Sequence, residues 1–142
     1  MIGVEGTLLP VSSDLDVMRV RQKGRELAAW ADFAAVDQTL VATAISEIAR
    51  NIVTYAKRGT IALKIEEESD RLGLVVVACD QGPGIPNITR AMQDHYSTSH
   101  GLGMGLPGAR RAMDEFAIQS TSGEGTRIIM KKWRPKPSGA RT

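Results

Sequence analysis

The chain has 142 residues, 42% of them apolar, which suits one domain with an ordinary hydrophobic core. Its formal net charge of +2 is too small to indicate nucleic-acid binding by itself. The single cysteine, Cys79, excludes a disulfide framework and a cysteine-rich metal site. We expect a soluble, cytoplasmic protein without a membrane anchor, because no signal peptide is recognisable and no window holds the roughly 20 apolar residues of a membrane helix.

The first half of the chain predicts one strand and two helices. Residues 6–11 read as a short strand, and Ser12 or Ser13 offers the N-cap of a helix that runs to about residue 31. We expect this helix to direct its large apolar residues to the core: Leu15, Met18, Leu27 and Trp30. A second helix is predicted over residues 37–56, where apolar residues recur at helical spacing: Val41, Ile45, Ile48, Ile52 and Ala56.

The second half predicts four strands and one helix. Residues 61–65 alternate between apolar and polar, and the continuous apolar run within 72–79 indicates a strand buried on both faces. A helix is predicted over 104–115, followed by strands over 116–121 and 126–133 joined by the hairpin signal SGEG. Because short turns link neighbouring strands, we expect a mainly antiparallel sheet with helices on one face, an α+β two-layer sandwich.

The C-terminal end of the chain is basic. Six basic residues and no acidic ones occupy this stretch: Arg127, Lys131, Lys132, Arg134, Lys136 and Arg141. We therefore expect one domain over residues 1–134 and a disordered tail over 135–142. A nucleic-acid patch is one interpretation of this charge, but the composition favours a solvated tail.

The stretch GLGMGLPG, residues 101–108, contains the G-x-G-x-x-G pattern of dinucleotide-binding turns. The pattern lacks its required context, because the residues before it are polar rather than strand-like. It is not a P-loop either, since Ala109 and Arg110 stand where Lys and Ser or Thr are needed. Glycines this dense before a helix still favour phosphate binding through backbone N–H groups, with a merely flexible loop as the alternative.

Two of the helix-two residues could serve phosphate chemistry. Glu47 and Asn51 lie four residues apart and therefore on the same side of the helix, with Arg50 nearby. A carboxylate there can act as a general base, an amide oxygen suits Mg²⁺, and Arg50 could neutralise phosphate charge. Taken alone, the same residues also fit an ordinary solvated face.

Two further features follow the predicted strands. In DQGPG, Asp80 can accept a hydrogen bond from a ligand amine, while Gly82 and Gly84 leave room for a flat ring. In GEGT, Thr126 could bond to a base. An Asp-Gly turn and a plain hairpin turn explain these stretches equally well when each is considered alone.

In their order and spacing, EIARN, DQGPGI, GLGMGLPG and GEGT resemble the four boxes of the GHKL ATP-binding superfamily, which has the Bergerat fold. The resemblance covers about residues 6–133. SEIARNIVTYAKRG, YSTSHGLGMGLPGARRAMDEF and the stand-alone architecture are similar to its small serine/threonine kinase branch, which includes bacterial anti-sigma and stressosome kinases. A histidine kinase or gyrase fits poorly, because no phosphoacceptor-histidine helix pair or transducer domain is present.

The resemblance implies a role for each matching residue. Glu47 would be the general base on the substrate hydroxyl, Asn51 would ligate Mg²⁺, Asp80 would accept from the adenine amino group, and Thr126 would support the base. The remaining implied positions shape the adenine pocket (Gly82, Gly84 and Ile85) or hinge an ATP lid that binds phosphates through its backbone (Gly101, Leu102, Gly103, Met104, Gly105 and Leu106).

Two features depart from the family pattern or leave it open. Tyr55 stands where many relatives carry a phosphate-reaching lysine, so Lys57 and Arg58 are candidates to substitute for it. His95 and His100 could touch phosphate, but we expect solvated histidines and no zinc site.

The function implied is that of a serine/threonine kinase and partner switch. It would use Mg²⁺ with ATP, yielding ADP, to phosphorylate a STAS-domain antagonist protein. After release it would activate a downstream metal-dependent phosphatase in stress signalling. The alternative is an ATP-binding anti-sigma factor or partner-switch module with little or no kinase activity.

Overall fold

A computed structural model describes residues 6–82, 105–121 and 123–136 of the chain. Its helices and strands follow the predicted order along the chain. They are β1 (Thr7–Val11), α1 (Asp14–Trp30), α2 (Ala35–Asn51), a π-helical turn (Ile52–Ala56), β2 (Gly59–Glu67), β3 (Arg71–Asp80), α3 (Gly105–Ala112), β4 (Glu115–Thr121) and β5 (Gly125–Pro135).

The five strands form one sheet in the order β1-β2-β3-β5-β4, and every neighbouring pair is antiparallel. Alternate strand residues, such as Ile61, Leu63 and Ile65 on β2, are buried together with residues of all three helices in one core. Since successive strand residues point to opposite faces, the described helices all cover the same face of the sheet. The predicted α+β two-layer sandwich is confirmed.

Helix α2 forms the centre of the core. Four residues of its predicted apolar stripe are at most 3% exposed: Val41, Ile45, Ile48 and Ile52. The helix begins two residues before the predicted start, at Ala35, and its predicted last turn is π-helical. This turn ends at Ala56, and the φ of 74° at the following residue, Lys57, breaks the helical path.

Helix α1 begins where it was predicted but buries different residues. The Ser13 hydroxyl accepts a hydrogen bond from the Asp16 backbone N–H at 3.2 Å and so caps the helix. Leu15, Met18 and Trp30 are 53%, 66% and 53% exposed, so their predicted core positions are wrong. Leu27 does pack against the core as predicted, although it is only partly buried.

The contact between α1 and α2 explains this correction. The buried residues of α1 are small or β-branched: Val17, Val20, Gly24 and Ala28. A Cβ atom on Gly24 would lie 2.2 Å from Cδ1 of Ile45 on α2. Because the helices approach so closely, only small side chains fit between them, and the large apolar residues of α1 are left on its outer side.

The last described residues lie along the sheet. β5 runs to Pro135, and the Lys136 backbone N–H donates to the Asp70 carbonyl at 2.9 Å. Lys136 also pairs with Glu67, with 2.8 Å between Nζ and Oε2. The remainder of the segment predicted as a tail, residues 137–142, lies outside the described residues. Within residues 6–82, 105–121 and 123–136, no helix is long and apolar enough to cross a bilayer.

Candidate nucleotide-binding and catalytic site

Glu47 is a buried carboxylate at the centre of the fold. It is 9% exposed, and only Ser46 joins it as a buried polar residue among those described. The Glu47 Oε2 atom lies 3.1 Å from Nη1 of Arg50, whose side chain is 40% exposed. A solvated helix face therefore does not describe Glu47. Burial of a charge is costly unless it is paired, and the ion pair with Arg50 offsets this cost for Glu47.

Asn51 is the last residue of α2 and lies one turn beyond Glu47. Its Nδ2 atom is buried and has no hydrogen-bond partner within the described part of the chain. Buried polar atoms are nearly always satisfied, so an orphaned one calls for a partner from beyond the described residues. A side-chain amide has an oxygen acceptor as well as a nitrogen donor, and either can meet a polar ligand.

The π-helical turn connects this helix to the end of β3. The turn begins directly after Asn51, and π-helical turns occur frequently at functional sites. Its last residue, Ala56, packs tightly on Gly82, where an added Cβ would lie 2.5 Å from the Ala56 Cβ. Gly82 is therefore required at this position, and the turn after Asp80 is held against the end of the helix that carries Glu47 and Asn51.

Asp80 and Thr126 face each other across the β3–β5 ladder. The Asp80 Oδ1 atom accepts a hydrogen bond from the Gly82 N–H at 2.9 Å, which orients the carboxylate. Gly125, with φ of 116°, passes so close that a Cβ there would lie 2.2 Å from the Asp80 carbonyl oxygen. The glycine of the GEGT box thus allows the hairpin to close against the strand that ends in Asp80.

Ser120 belongs to this site but was missed by the sequence interpretation. Its hydroxyl lies 2.9 Å from the Thr126 hydroxyl and donates to the Gly125 carbonyl at 3.2 Å. Because the Ser120 hydroxyl donates its hydrogen to the Gly125 carbonyl, the Ser120 oxygen accepts from the Thr126 hydroxyl. The Thr126 oxygen then keeps a lone pair that can accept a hydrogen bond from a ligand. The hairpin register places Ser120 opposite Thr126, so the SGEG signal could have found it.

Helix α3 starts at Gly105, and its second residue, Leu106, is 6% exposed within the core. Gly105 and Leu106 are the predicted lid positions that the structure describes. Because the Leu106 side chain is buried, only its backbone can contact a ligand. The helix ends three residues before its predicted end, because Asp114 and Glu115 join the β5 strand instead. Several predicted site positions lie outside the described residues: Gly84, Ile85, His95, His100, Gly101, Leu102, Gly103 and Met104.

The residues considered for phosphate contact follow Asn51. Tyr55 is 43% exposed, and Lys57 and Arg58 are also exposed. Arg58 lines a cavity formed by the ends of the strands, together with Asp80 and Thr126. Of these three side chains, Arg58 is the one that lines this cavity.

The donor set fits a metal-bound nucleotide. Asn51 supplies an amide oxygen, the kind of hard ligand that Mg²⁺ prefers, and its Nδ2 donor lacks a partner among the described residues. Asp80 and Thr126 supply oriented acceptors at the neighbouring strand end. The structure thus brings together the described members of three of the four boxes, and α3, which the glycine-rich box opens, packs against α2.

Comparison with known proteins agrees with this arrangement. The family model described as "Histidine kinase-like ATPase domain" matches residues 11–132. The chain therefore belongs to the histidine kinase-like ATPase domain family, and within it to the serine/threonine-protein kinases, as predicted. It is 48% identical over 123 residues to the serine/threonine-protein kinase RsbT of Bacillus subtilis (strain 168), covering 87% of this chain and 92% of that protein.

Two further similarities are weaker. The anti-sigma F factor of Clostridium kluyveri is 37% identical over 100 residues, covering 66% of this chain and 69% of that protein. Among solved structures, the catalytic domain of histidine kinase ThkA matches with a TM-score of 0.49 and 14% identity, covering 89% of this chain and 95% of that chain.

Proposed function

We propose that the protein transfers the γ-phosphoryl group of Mg²⁺-bound ATP to a hydroxyl of a STAS-domain antagonist protein, leaving ADP. Once released from this antagonist in the cytoplasm, it activates a metal-dependent phosphatase in bacterial stress signalling. The proposal is carried by one observation: the buried Glu47 carboxylate and the orphaned Asn51 amide share one side of α2. The similarity to a serine/threonine-protein kinase over most of both chains supports it.

Glu47 accepts the proton of the substrate serine or threonine hydroxyl as that oxygen attacks the γ-phosphorus. A general base of this kind contributes about 10²–10⁴-fold to the rate. Arg50 holds the carboxylate through the 3.1 Å ion pair. A guanidinium carries five N–H donors, so Arg50 can also face phosphate charge, as the sequence suggested.

Asn51 would hold Mg²⁺ through its amide oxygen. When bound, the ion neutralises charge on the phosphate oxygens and orients them. The chain itself supplies position: α2 fixes Glu47 and Asn51 one turn apart, and the tight Gly82–Ala56 contact fixes the strand end beside them. Catalysis of this kind depends mainly on positioning and electrostatic stabilisation.

The adenine base would lie against the end of β3. Asp80 would accept from the adenine amino group and Thr126 would support the ring, while Gly82, Gly84 and Ile85 shape the pocket. The backbone at Gly105 and Leu106 would offer N–H groups to phosphate at the start of α3. Gly101, Leu102, Gly103 and Met104 would form the hinge of the lid, as the family resemblance implies.

The alternative is an ATP-binding anti-sigma factor or partner-switch module that transfers phosphate poorly. The identity to anti-sigma F factors supports a partner-switching role in either case. The two functions differ in their use of Glu47, because a protein that only binds ATP gains nothing from a carboxylate buried to 9% exposure.

The test measures phosphotransfer and ATP binding separately. The protein is mixed with radiolabelled ATP, Mg²⁺ and a STAS-domain protein, and ATP affinity is measured by calorimetry. We expect Glu47→Gln to lose about 100-fold or more of the transfer rate with ATP affinity little changed. Asp37→Asn is the matched control, since it makes the same chemical change on the same helix at a site that pairs with Lys132.

Asp80→Asn completes the experiment. It exchanges a carboxylate acceptor for an amide at the predicted adenine contact, so ATP binding is expected to be lost. Transfer that persists in Glu47→Gln would exclude Glu47 as the base, and ATP binding that persists in Asp80→Asn would place the adenine elsewhere. ATP binding without any transfer by the unaltered protein would favour the binding module.

A further inference from the structure

Three polar side chains lie in register at one end of the sheet. The ladders pair Asp80 on β3 with Thr126 on β5, and Thr126 with Ser120 on β4. Directly paired residues share a face of the sheet, so Thr126 lies between the other two side chains, and we call the three residues the polar row. The next aligned set on that face is apolar and belongs to the core or packs against it: Ala78, Ile128 and Ile118. The polar row therefore lies at the rim of the core.

The hydrogen bonds of the polar row run in one direction. The Ser120 hydroxyl donates to the Gly125 carbonyl at 3.2 Å, and its oxygen lies 2.9 Å from the Thr126 hydroxyl. Since a hydroxyl carries one hydrogen, Ser120 has none left for Thr126 and accepts the hydrogen of Thr126 instead. Thr126 therefore presents lone pairs, and no hydrogen, to a bound base.

The backbone of the hairpin keeps this direction fixed. Gly125 is buried, and its φ of 116° brings it so close to β3 that an added Cβ would lie 2.2 Å from the Asp80 carbonyl oxygen. The Glu124 backbone N–H donates to the Thr121 carbonyl at 2.8 Å and closes the hairpin. These contacts hold the Gly125 carbonyl beside Ser120, so the Ser120 hydrogen stays directed at it.

Asp80 is the second acceptor of the polar row. An ionised carboxylate has no hydrogen to donate, and its Oδ1 atom already accepts from the Gly82 N–H at 2.9 Å. The ladder partner of Asp80 on β2 is Gly59, which has no side chain that could supply a donor. The Asp80 and Thr126 side chains thus offer a ligand two oxygen acceptors at neighbouring strand ends.

We infer that Ser120 is a positioning residue through which the site selects a 6-amino purine over a 6-oxo purine. The inference rests on the proposed binding of ATP and adds a determinant of base specificity to it. The 6-amino group of adenine has two N–H donors, which match the Asp80 and Thr126 acceptors. A 6-oxo group would point a lone pair at both, and a site built to accept from N–H groups discriminates strongly against a ligand that lacks them.

Ser120 acts through Thr126 and does not itself contact the base. Without the Ser120 oxygen, the Thr126 hydroxyl loses the acceptor of its hydrogen and can rotate about its Cβ–Oγ1 bond. The freed hydrogen can then meet a 6-oxo oxygen, so Thr126 no longer opposes this group. A purely structural role of Ser120 would instead weaken the binding of both kinds of purine nucleotide alike.

The test compares ATP with inosine triphosphate, whose base carries a 6-oxo group in place of the 6-amino group. Calorimetry with Mg²⁺ measures both affinities for the full chain and for its Ser120→Ala and Ser120→Thr variants. Ser69→Ala is the matched control, because it makes the same change in the turn between β2 and β3, at the opposite end of the sheet.

We expect the unaltered chain to bind ATP at least about tenfold more tightly than inosine triphosphate. Ser120→Ala should lower this ratio about fivefold, the effect of one hydrogen bond. Ser120→Thr keeps a hydroxyl at the same position and should retain the ratio. The Ser69→Ala control should leave both affinities unchanged.

A double-mutant cycle tests whether Ser120 acts through Thr126. Thr126→Val removes the acceptor and should lower the ratio by itself. Adding Ser120→Ala to this variant should change the ratio little, because residues that act through one contact have non-additive effects. Urea unfolding of each variant measures any loss of stability separately from the change in specificity.

Two results would overturn the inference alone. The first is ATP binding by the unaltered chain with the same nucleotide ratio in Ser120→Ala, and the second is full additivity of Ser120→Ala and Thr126→Val. Absence of ATP binding by the unaltered chain would overturn the proposed function and the inference together, so the two failures are distinguishable.

Discussion

Helices α1 and α2 are both 17 residues long, yet only α2 buries isoleucines and a carboxylate. Helix α2 packs against α1, α3 and β3, and it encloses large aliphatic side chains together with the Glu47 carboxylate. Helix α1 contacts α2 and the edge of the sheet, and it leaves Leu15, Met18 and Trp30 exposed. The proposed catalytic groups thus lie on the helix that has neighbours on most sides.

This difference has a functional consequence. Groups that take part in chemistry must be held within a fraction of an ångström, and packed neighbours on several sides provide that restraint. Helix α1 lacks such enclosure on its outer side. We therefore expect substitutions on the two helices to have very different effects on stability.

The largest difference is expected between Ile48→Ala and Met18→Ala. Ile48 is 1% exposed at the centre of the core, and its truncation should lower the free energy of unfolding by about 2–5 kcal/mol. Met18 is 66% exposed, so the same truncation should change it by about 0.5 kcal/mol or less. Urea unfolding followed by circular dichroism measures both. Similar losses in the two variants would mean that Met18 is not on the outer side of α1.

A smaller effect is expected where the two helices touch. Gly24→Leu would place side-chain atoms where an added Cβ already lies 2.2 Å from Ile45 Cδ1, and overpacking of this kind costs about 1–3 kcal/mol. Gln22→Leu, on the exposed side of the same helix, is the matched control and should be nearly neutral. If Gly24→Leu were as stable as the control in urea unfolding, the close helix contact would be excluded.

The smallest effect concerns the start of α1 and its dependence on pH. The Ser12 backbone N–H donates to Asp16 at 2.9 Å and, with the Ser12 and Ser13 hydroxyls and Arg19, lowers the pKa of Asp16 below its ordinary value. The native state therefore binds this proton less readily than the unfolded chain. The stabilisation is present above the ordinary carboxyl pKa and is lost as pH falls through the native pKa.

Asp16→Asn should flatten this acid-range loss of stability. Asp14→Asn, in the same helical turn, keeps the Ser12 contacts of Asp16 and serves as the control. An NMR titration of the Asp16 carboxyl carbon measures the pKa directly, and urea unfolding at several pH values measures the consequence. A midpoint at or above the ordinary value would contradict the Ser12 hydrogen bonds.

The core of α2 could be predicted because four residues of its stripe, Val41, Ile45, Ile48 and Ile52, are large aliphatic residues, so periodicity and side-chain size indicate the same buried side. On α1, periodicity and side-chain size indicate different buried sides. The prediction from size was wrong, because the large residues Leu15, Met18 and Trp30 are exposed. The closeness of Gly24 to Ile45 depends on a residue 21 positions away, which no local pattern contains. The π-helical turn after Asn51 was also missed, since its sequence continues the helical period.

The sequence by itself determined the order of the helices and strands, the antiparallel sandwich and the residues of the four boxes. These depend on local periodicity, turn chemistry and motif spacing, which act over a few residues. Only the tertiary structure decided that Glu47 is buried against Arg50 and that Ser120 supports Thr126. Burial and register depend on which distant residues become neighbours, and that is settled only when helices and strands pack.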